Sequence, residues 1–180
     1  IDDQDSWTYY DLGWCYNLLG QYDKAIIELE KALELFRHWN MKPSWAPNYT
    51  FLGNAYHKTS QYRKEKKLYK RAEKDFPDNP AVLERKAILA FTIGDLSNAG
   101  KYIEKYVSAR KNQNASEQVI ASEVAGIYSE SGIFDKAEEY YLKALSMESE
   151  NHVGMNNLAF FLIDKERDIT EGLEFVGKAL

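Results

Sequence analysis

The sequence predicts an all-α protein in which about five helical hairpins stack into a solenoid. Apolar residues recur at helical spacing in pairs of short segments, and a tight turn separates the two members of each pair. Small residues return in phase at one position of every pair, namely Gly13, Gly53, Ala87, Ala125 and Ala159. No segment of the sequence has the alternating apolar pattern of a β-strand. Because one hairpin cannot bury its apolar stripe alone, neighbouring hairpins must stack on it.

The first hairpin shows why each pair of helices forms. Its first helix has an apolar face at the spacing i, i+3, i+4, i+7, formed by Tyr9, Leu12, Gly13 and Tyr16. Gly20 supplies the left-handed conformation that ends this helix without steric cost. The second helix has a similar face, formed by Ala25, Leu29 and Ala32. The small residues at Gly13 and Ala25 let the two helix backbones approach closely where they cross.

The remaining hairpins follow in order along one predicted array that covers residues 1–180. Asn79 and Pro80 begin the third hairpin, because asparagine caps helices and proline suits the first helical turn. Gly94 and Gly132 mark the turns of the third and fourth hairpins. The predicted repeats are 6–39, 46–79, 80–113, 118–151 and 152–180, the last of them incomplete.

These hairpins resemble the tetratricopeptide repeat, a helix–turn–helix unit of about 34 residues with the pattern W-x2-L-G-x2-Y followed by A, F and P. Two of the four steps between successive small residues are 34 residues long, and the other two contain insertions of 6 and 4 residues. Three positions after the small residue, the repeats read Tyr16, Tyr56, Ala90, Tyr128 and Leu162. The resemblance implies a right-handed superhelical solenoid in which the first helices of the repeats line a concave groove.

A few positions depart from this pattern. Glu65 and Tyr106 stand where other repeats have a small residue in the second helix. Only the second repeat keeps a closing proline, Pro77, and the fifth needs an extra residue near Asp168. These departures blur the repeat boundaries but leave the predicted fold unchanged.

Composition and charge exclude several classes of protein. The net charge of −5 argues against general affinity for nucleic acid. The single cysteine, Cys15, excludes an internal disulfide framework, and its mid-helix position predicts a buried, inert thiol. The sequence contains no transmembrane span and no signal peptide, so we expect no membrane contact and favour a cytoplasmic location. Since it begins at Ile1 rather than Met, we expect a fragment of a longer protein, which leaves a removed export signal open.

The sequence contains no catalytic or phosphate-binding motif. The histidines His38, His57 and His152 are far apart and have no cysteine near them in the sequence. We therefore expect a protein that is not an enzyme and that needs no cofactor or metal.

The resemblance directs attention to the groove. It would be lined by positions 2, 5, 9 and 12 of each repeat, where position 1 is the first residue of the repeat, such as Ser6 in the first and residue 46 in the second. The candidate binding residues at those positions are Trp7, Tyr10, Trp14, Asn54, His57, Ile88 and Phe91. Aromatic side chains with a polar edge are frequent anchors in protein interfaces. Asn54 could hold a peptide backbone, because its amide both donates and accepts hydrogen bonds. The expected ligand is a peptide or protein segment, extended or helical, with apolar side chains.

The insertion at 38–45 contains Trp39 and Trp45 and leaves two interpretations open. In one, the tryptophans cover the top of the first two repeats, as loop tryptophans often do. In the other, they rim a binding site. A related alternative is that Trp7 and Trp14 pack against this insertion and bind nothing.

One known binding mode of the family is a dicarboxylate clamp for acidic C-terminal peptides, built from lysine, asparagine and arginine. The corresponding positions here are Tyr10, Trp14, Asn54, Glu84 and Ile88. Only Asn54 matches, and Glu84 would repel a carboxylate. We therefore predict that such peptides do not bind tightly.

The function that these observations favour is non-catalytic binding of a peptide or protein in the groove. The alternative is that the chain is the sensory or regulatory arm of a larger signalling or transcription-regulating protein. At the C-terminal edge, Phe175 and Val176 are expected to lie near an open end of the array. Either the natural chain continues there or this edge pairs with a second copy in a homodimer.

Overall fold

A computed structural model describes residues 6–147, 152–165 and 167–179 of the chain. Within those ranges the chain forms ten helices and no strand, which confirms the predicted all-α fold. The helices are α1 (Ser6–Leu18), α2 (Tyr22–His38), α3 (Pro47–Lys58), α4 (Tyr62–Asp75), α5 (Pro80–Thr92), α6 (Leu96–Asn112), α7 (Glu117–Glu130), α8 (Phe134–Met147), α9 (His152–Asp164) and α10 (Ile169–Ala179). The predicted boundary between the fourth and fifth repeats falls outside the described ranges.

The turns within the hairpins have the backbone conformation that the sequence predicts. Gly20, Gly94 and Gly132 have φ angles of 68°, 76° and 75°, in the left-handed region that favours glycine. An added side-chain carbon would meet nothing within 4 Å at any of the three, so conformation rather than space selects glycine there. In the second hairpin Ser60 takes the same role with φ 58°.

The helix contacts divide the chain into two compact units, Ile1–Tyr106 and Val107–Leu180, with the boundary inside α6. In unit 1, α1 contacts α2 and α3, and α3 contacts α4 and α5. In unit 2, α7 contacts α8, and α9 contacts both α8 and α10. Consecutive helices therefore form hairpins in each unit, as the repeat pattern predicts.

Close helix crossings in unit 1 explain the small residues. An added side-chain carbon at Gly13 would overlap the side chain of Leu29, which is 1% exposed. At Gly53 it would overlap the hydroxyl group and ring of Tyr69. Ala25 and Ala87 are completely buried. The predicted close approach of the two helices is confirmed at these positions.

In unit 2, α7 is buried along one side, and a further buried cluster lies between α8, α9 and α10. Ala137, Leu158, Phe161 and Leu162 form this cluster, and Phe175 packs against it while half-buried. Arg167 links the segment before α10 to α8, because its guanidinium lies 2.6 Å from Asp135 and 3.2 Å from Glu138. At α7, the hydroxyl of Ser116 accepts a hydrogen bond from the backbone N–H of Val119 and so caps the helix.

One prediction about the first helix is wrong. Cys15 is exposed rather than buried. The apolar face of α1 turns Tyr9, Gly13 and Asn17 inward, and Cys15 lies on the opposite side of the helix.

Candidate functional site

The candidate site lies in unit 1, on the face formed by α1, α3 and α5. A chain of amide hydrogen bonds fixes α1 to α3 on this face. The side-chain N–H of Asn17 donates to the backbone oxygen of Phe51 over 2.7 Å, and Asn54 donates to the side-chain oxygen of Asn17 over the same distance. Asn54 therefore helps to fix α3 against α1.

Five rings, Trp7, Tyr10, Trp14, Trp45 and Phe51, form what we call the aromatic cluster. The ring centroid of Trp45 lies 6.0 Å from that of Trp7 and 6.1 Å from that of Tyr10, in edge-to-face geometry. Phe51 lies 6.1 Å from Tyr10 and 6.5 Å from Trp14. The cluster thus joins α1, α3 and the insertion into one surface.

The three tryptophans of the aromatic cluster keep much of their surface in solvent. Trp7 is 46%, Trp14 40% and Trp45 52% exposed, whereas Tyr10 is buried beneath them. Trp7 packs against the insertion through Trp45, but the ring that Trp14 contacts is Phe51 of α3. The other tryptophan of the insertion, Trp39, packs edge-to-face on Phe36 of α2. The two tryptophans of the insertion thus have different surroundings.

A polar group adjoins the hydrophobic surface at the end of α3. His57 Nδ1 hydrogen-bonds with the carboxyl group of Glu65 in α4, 3.1 Å from Oε2 and 3.2 Å from Oε1. On the other side of the ring, Nε2 lies 3.4 Å from the hydroxyl oxygen of Thr92 in α5. The imidazole is therefore held between α4 and α5 in a defined orientation.

Glu65 is 1% exposed, which is unusual for a carboxylate. Burial raises its pKa, because the charged form loses its hydration. The hydrogen bond with His57 and the nearby charge of Arg85 oppose this effect and favour the ionised form. In the sequence, Glu65 is noticeable only because other repeats have a small residue at its position. A carboxylate at a position that is normally buried could have predicted a buried polar contact with a residue such as His57.

The remaining candidate residues lie in α5. Phe91 is half-buried, but Ile88 is only 1% exposed and is part of the core. Residues 86–90 are all buried, so α5 is covered on more than the one face that helical periodicity assigns to the core. The surface of the site therefore consists mainly of residues from α1, α3 and the insertion.

The part of the chain that the structure describes contains neither a candidate metal site nor a candidate membrane-spanning helix. No three or more histidine, cysteine, aspartate or glutamate side chains are grouped there in a way that could hold a metal ion. Among the helices in the same ranges, none combines the length and apolar character that crossing a bilayer requires.

Family comparisons agree with the repeat pattern. Tetratricopeptide repeat models match residues 6–38, 52–115 and 123–151, which together make up more than half of the chain. The chain belongs to the tetratricopeptide repeat family. No curated protein sequence matches it significantly.

Solved structures share the fold of this tetratricopeptide repeat protein. YrrB, a TPR protein with an unusual peptide-binding site, is 18% identical with a TM-score of 0.56, and the match covers 99% of this chain and 86% of YrrB. Yeast Tom70 is 20% identical with a TM-score of 0.60, over 99% of this chain and 36% of Tom70. A Podosopora anserina putative kinesin light chain with nearly identical TPR-like repeats is 17% identical with a TM-score of 0.64, over 99% of this chain and 95% of that one.

At these identities the solved structures establish the fold, an all-α tetratricopeptide repeat solenoid. The chain spans only about a third of the length of Tom70. Arrays of this family generally act as non-catalytic modules that bind peptides or proteins, and this chain is accordingly a protein-interaction module.

Proposed function

We propose that this protein binds a peptide or protein segment, without catalysis, on the α1, α3 and α5 face of unit 1. The observation that supports this most is the exposure of Trp7, Trp14 and Trp45 in one aromatic cluster. Large apolar side chains grouped at a surface are typical of interaction sites, and tryptophan is enriched among the residues that dominate binding energy.

The chemistry of this face favours a ligand with apolar side chains. The tryptophans would bury such side chains, while Tyr10 and Phe51 hold the indoles in position from below. Asn54 lies further along α3 and offers the remaining polar atoms of its amide to the ligand's backbone. His57 borders the site, with one ring nitrogen on Glu65 and the other near Thr92. Phe91 extends the apolar surface on α5, and Ile88 supports it from within the core.

The experiment begins with peptides selected against the whole chain by phage display. Binding of a selected peptide is then measured by calorimetry and by the shift of tryptophan fluorescence. Replacing Trp14 with Ala should weaken binding about tenfold or more, since truncation of a central aromatic anchor often costs over 2 kcal/mol. Trp7→Ala should weaken it as well.

Trp39→Ala provides the matched control. Trp39 is 38% exposed, close to the 40% of Trp14, but it packs on Phe36 of α2 and lies outside the aromatic cluster. We expect its replacement to change affinity less than twofold, because it removes no contact to the ligand. If Trp14→Ala bound as tightly as Trp39→Ala, the site would have to be elsewhere.

We further propose that acidic C-terminal peptides are not ligands of this face. Glu84 lies on α5 with its carboxylate 3.1 Å from the guanidinium of Arg85 in the same helix. Tyr10 and Trp14 replace the cationic and amide groups that a carboxylate clamp needs. Micromolar affinity for a peptide that ends in consecutive acidic residues would contradict this.

A second copy of the chain is the proposed partner of the C-terminal edge. Ile169 and Leu173 of α10 are 52% and 59% exposed, so the helix presents apolar surface to solvent. Light scattering after size-exclusion chromatography should detect a dimer at high protein concentration. Leu173→Glu should shift it to monomer, because a charge cannot be buried in an apolar contact without large cost. A wild-type chain that stays monomeric throughout would exclude this pairing.

A further inference from the structure

A cavity of about 200 Å³ lies in unit 1 on the other side of α5, away from the aromatic cluster. Its walls come from α4, α5, the turn after α5 and the first part of α6. The apolar floor consists of Leu89, Ala90 and Ile93, and Tyr102 forms one wall. Lys66 and Lys70 of α4 also line the cavity.

The cavity occupies the place of a tyrosine ring that the third repeat lacks. Repeats one, two and four have Tyr16, Tyr56 and Tyr128 at the position that Ala90 takes in repeat three. In repeat two, Tyr56 is 5% exposed and its ring is part of the core of unit 1. The side chain of Ala90 ends at its first carbon, so the space that a tyrosine's phenol group would fill stays empty beside it.

The neighbours of Tyr56 confirm this equivalence. Its hydroxyl donates to Glu30, and the ammonium group of Lys64 lies 5.3 Å from the centre of its ring. The repeat steps of 40 and 34 residues place Lys70 at the position equivalent to Glu30, and Asn98 at that of Lys64. Lys70 and Asn98 both line the cavity.

The exchange of Glu30 for Lys70 reverses the charge at the end of the missing ring. In repeat two, the tyrosine hydroxyl donates its proton to the carboxylate of Glu30. In the cavity, the equivalent position holds the ammonium group of Lys70. The two carboxylates of the lining are already engaged. Glu73 pairs with Lys86 at 2.6 Å, and Asp95 accepts from Asn98 at 2.7 Å.

We propose that this cavity binds an aromatic ring that bears a carboxylate. The ring takes the place of the absent tyrosine against Leu89 and Ile93, and the carboxylate meets Lys70, with Lys66 beside it. A cavity of about 150 Å³ is large enough for benzene in an engineered protein, so a phenyl group fits the available space. Since Lys86 and Glu73 neutralise each other, Lys66 and Lys70 remain in the lining against the single carboxylate of Asp95, which favours an anion.

Two sources could supply this chemistry, a free aromatic acid or the C-terminal phenylalanine or tyrosine of a polypeptide. The probe for the first is 3-phenylpropionate, with 3-phenylpropanamide as its uncharged counterpart. The probe for the second is the tripeptide N-acetyl-Gly-Gly-Phe, with a free or an amidated C-terminus. Binding of each to the whole chain is measured by ligand-observed NMR.

The wild-type chain should bind 3-phenylpropionate with a dissociation constant of about 1 mM or lower, a value typical of small ligands with few atoms. The amide should bind about tenfold more weakly, because it lacks the charge-assisted hydrogen bond. Lys70→Met should weaken the acid by a similar factor and leave the amide unchanged. If N-acetyl-Gly-Gly-Phe with a free C-terminus binds tenfold more tightly than 3-phenylpropionate, the ligand is the C-terminus of a polypeptide. If it does not, the ligand is a free aromatic acid.

Ala90→Tyr is the decisive variant, since it restores the ring that the other repeats contain. It should abolish binding of both acids while circular dichroism shows an unchanged helical fold. Ala90→Leu fills part of the cavity and should weaken binding even if the tyrosine variant does not fold. Trp14→Ala should bind the acids normally, which separates this site from the aromatic cluster. Absence of binding to the wild-type chain, or equal binding by Ala90→Leu, would overturn the proposal.

Discussion

At the scale of single residues, Glu65 is the side chain whose environment differs most from that of its counterparts. The equivalent positions in the other repeats hold Ala25, Ala99, Ala137 and Gly172, and the three alanines are completely buried. Glu65 keeps the burial but adds a carboxyl group, which hydrogen-bonds with His57 over 3.1 Å. A buried polar group of this kind is tolerated only when its partners are in place.

We predict that Glu65→Gln stabilises the protein increasingly as the pH rises. Because burial raises the pKa of Glu65 above 4.5, the folded chain keeps its proton at pH values where the unfolded chain has lost it. Stability of the wild type therefore falls as the pH rises through the raised pKa, whereas glutamine has no such loss. Urea unfolding of both proteins across a pH series measures the difference.

The control for this prediction is Glu104→Gln, at an exposed position of α6. It removes one negative charge without altering the contacts of His57, Tyr69 or Arg85. A stability difference between wild type and Glu65→Gln that stays constant with pH, or that shrinks as the pH rises, would contradict the predicted effect of burial.

Gly53 provides a second prediction at this scale. Gly53→Ala should destabilise the protein by about 1–3 kcal/mol, because the added methyl group overlaps Tyr69 in a packed core. Gly100→Ala is the matched control, since its methyl group would meet nothing within 4 Å in α6. Alanine there should stabilise by about 0.5–1 kcal/mol through helix propensity. Denaturant unfolding of both variants measures these changes in the free energy of unfolding, provided that its dependence on denaturant concentration equals that of the wild type.

These residues also show how far sequence reasoning reaches. The demand for a small residue at Gly53 could be predicted, because the repeat period places it where two helices cross. The bond between His57 and Glu65 could not, because periodicity within one helix does not report which side chain of the next helix lies opposite. The cavity beside Ala90 was visible only as a missing tyrosine in the repeat pattern.

At the scale of helices, the starts and stops follow local chemistry closely. The side-chain oxygen of Asn79 accepts hydrogen bonds from the backbone N–H groups of Ala81 and Val82, at 3.1 and 3.4 Å, and Pro80 opens α5. The sequence predicted this helix start because asparagine and proline have these roles in isolation. In contrast, Gln21 precedes α2 without a side-chain cap.

We predict that Asn79→Ala lowers the free energy of unfolding by about 1 kcal/mol, the usual value of a side-chain cap. Gln21→Ala at the start of α2 should change it by less than about 0.5 kcal/mol, because no cap is lost. Thermal unfolding followed by circular dichroism compares the two variants. Equal effects would mean that the hydrogen bonds of Asn79 contribute nothing beyond helix propensity.

The sequence predicted where each helix begins and ends better than it predicted which residues of the helix are buried. The one-sided pattern assigned Ile88 and Tyr10 to the groove, but both are buried, at 1% and 5% exposure. Helical spacing identifies the first face that a neighbour covers. A second covered face depends on the packing of other elements, such as the Trp45 ring that lies over Tyr10. Exposure of Trp7 and Trp14, at the N-terminal end of the same surface, did follow from the spacing.

At the scale of the whole molecule, a continuous repeat pattern coexists with two compact units. The sequence predicted one array over residues 1–180, because the hairpins stay in phase throughout. The helix contacts group Ile1–Tyr106 and Val107–Leu180 into two compact units, and the boundary falls within a single helix, α6. In repeat proteins each hairpin is stabilised mainly by its neighbours, so cooperativity is set by local contacts rather than by chain continuity.

We therefore predict that the two units open separately. Gly53→Ala in unit 1 should speed hydrogen exchange at the backbone amides of α1 and α3 about tenfold or more, while α9 and α10 stay unchanged. Gly172→Ala should do the reverse, because its methyl group would lie 2.7 Å from the side chain of Ile163 in α9. Exchange followed by mass spectrometry after peptic digestion resolves the individual helices. Faster exchange throughout the chain in both variants would show one cooperative array instead, because a perturbation confined to one unit could then reach every helix.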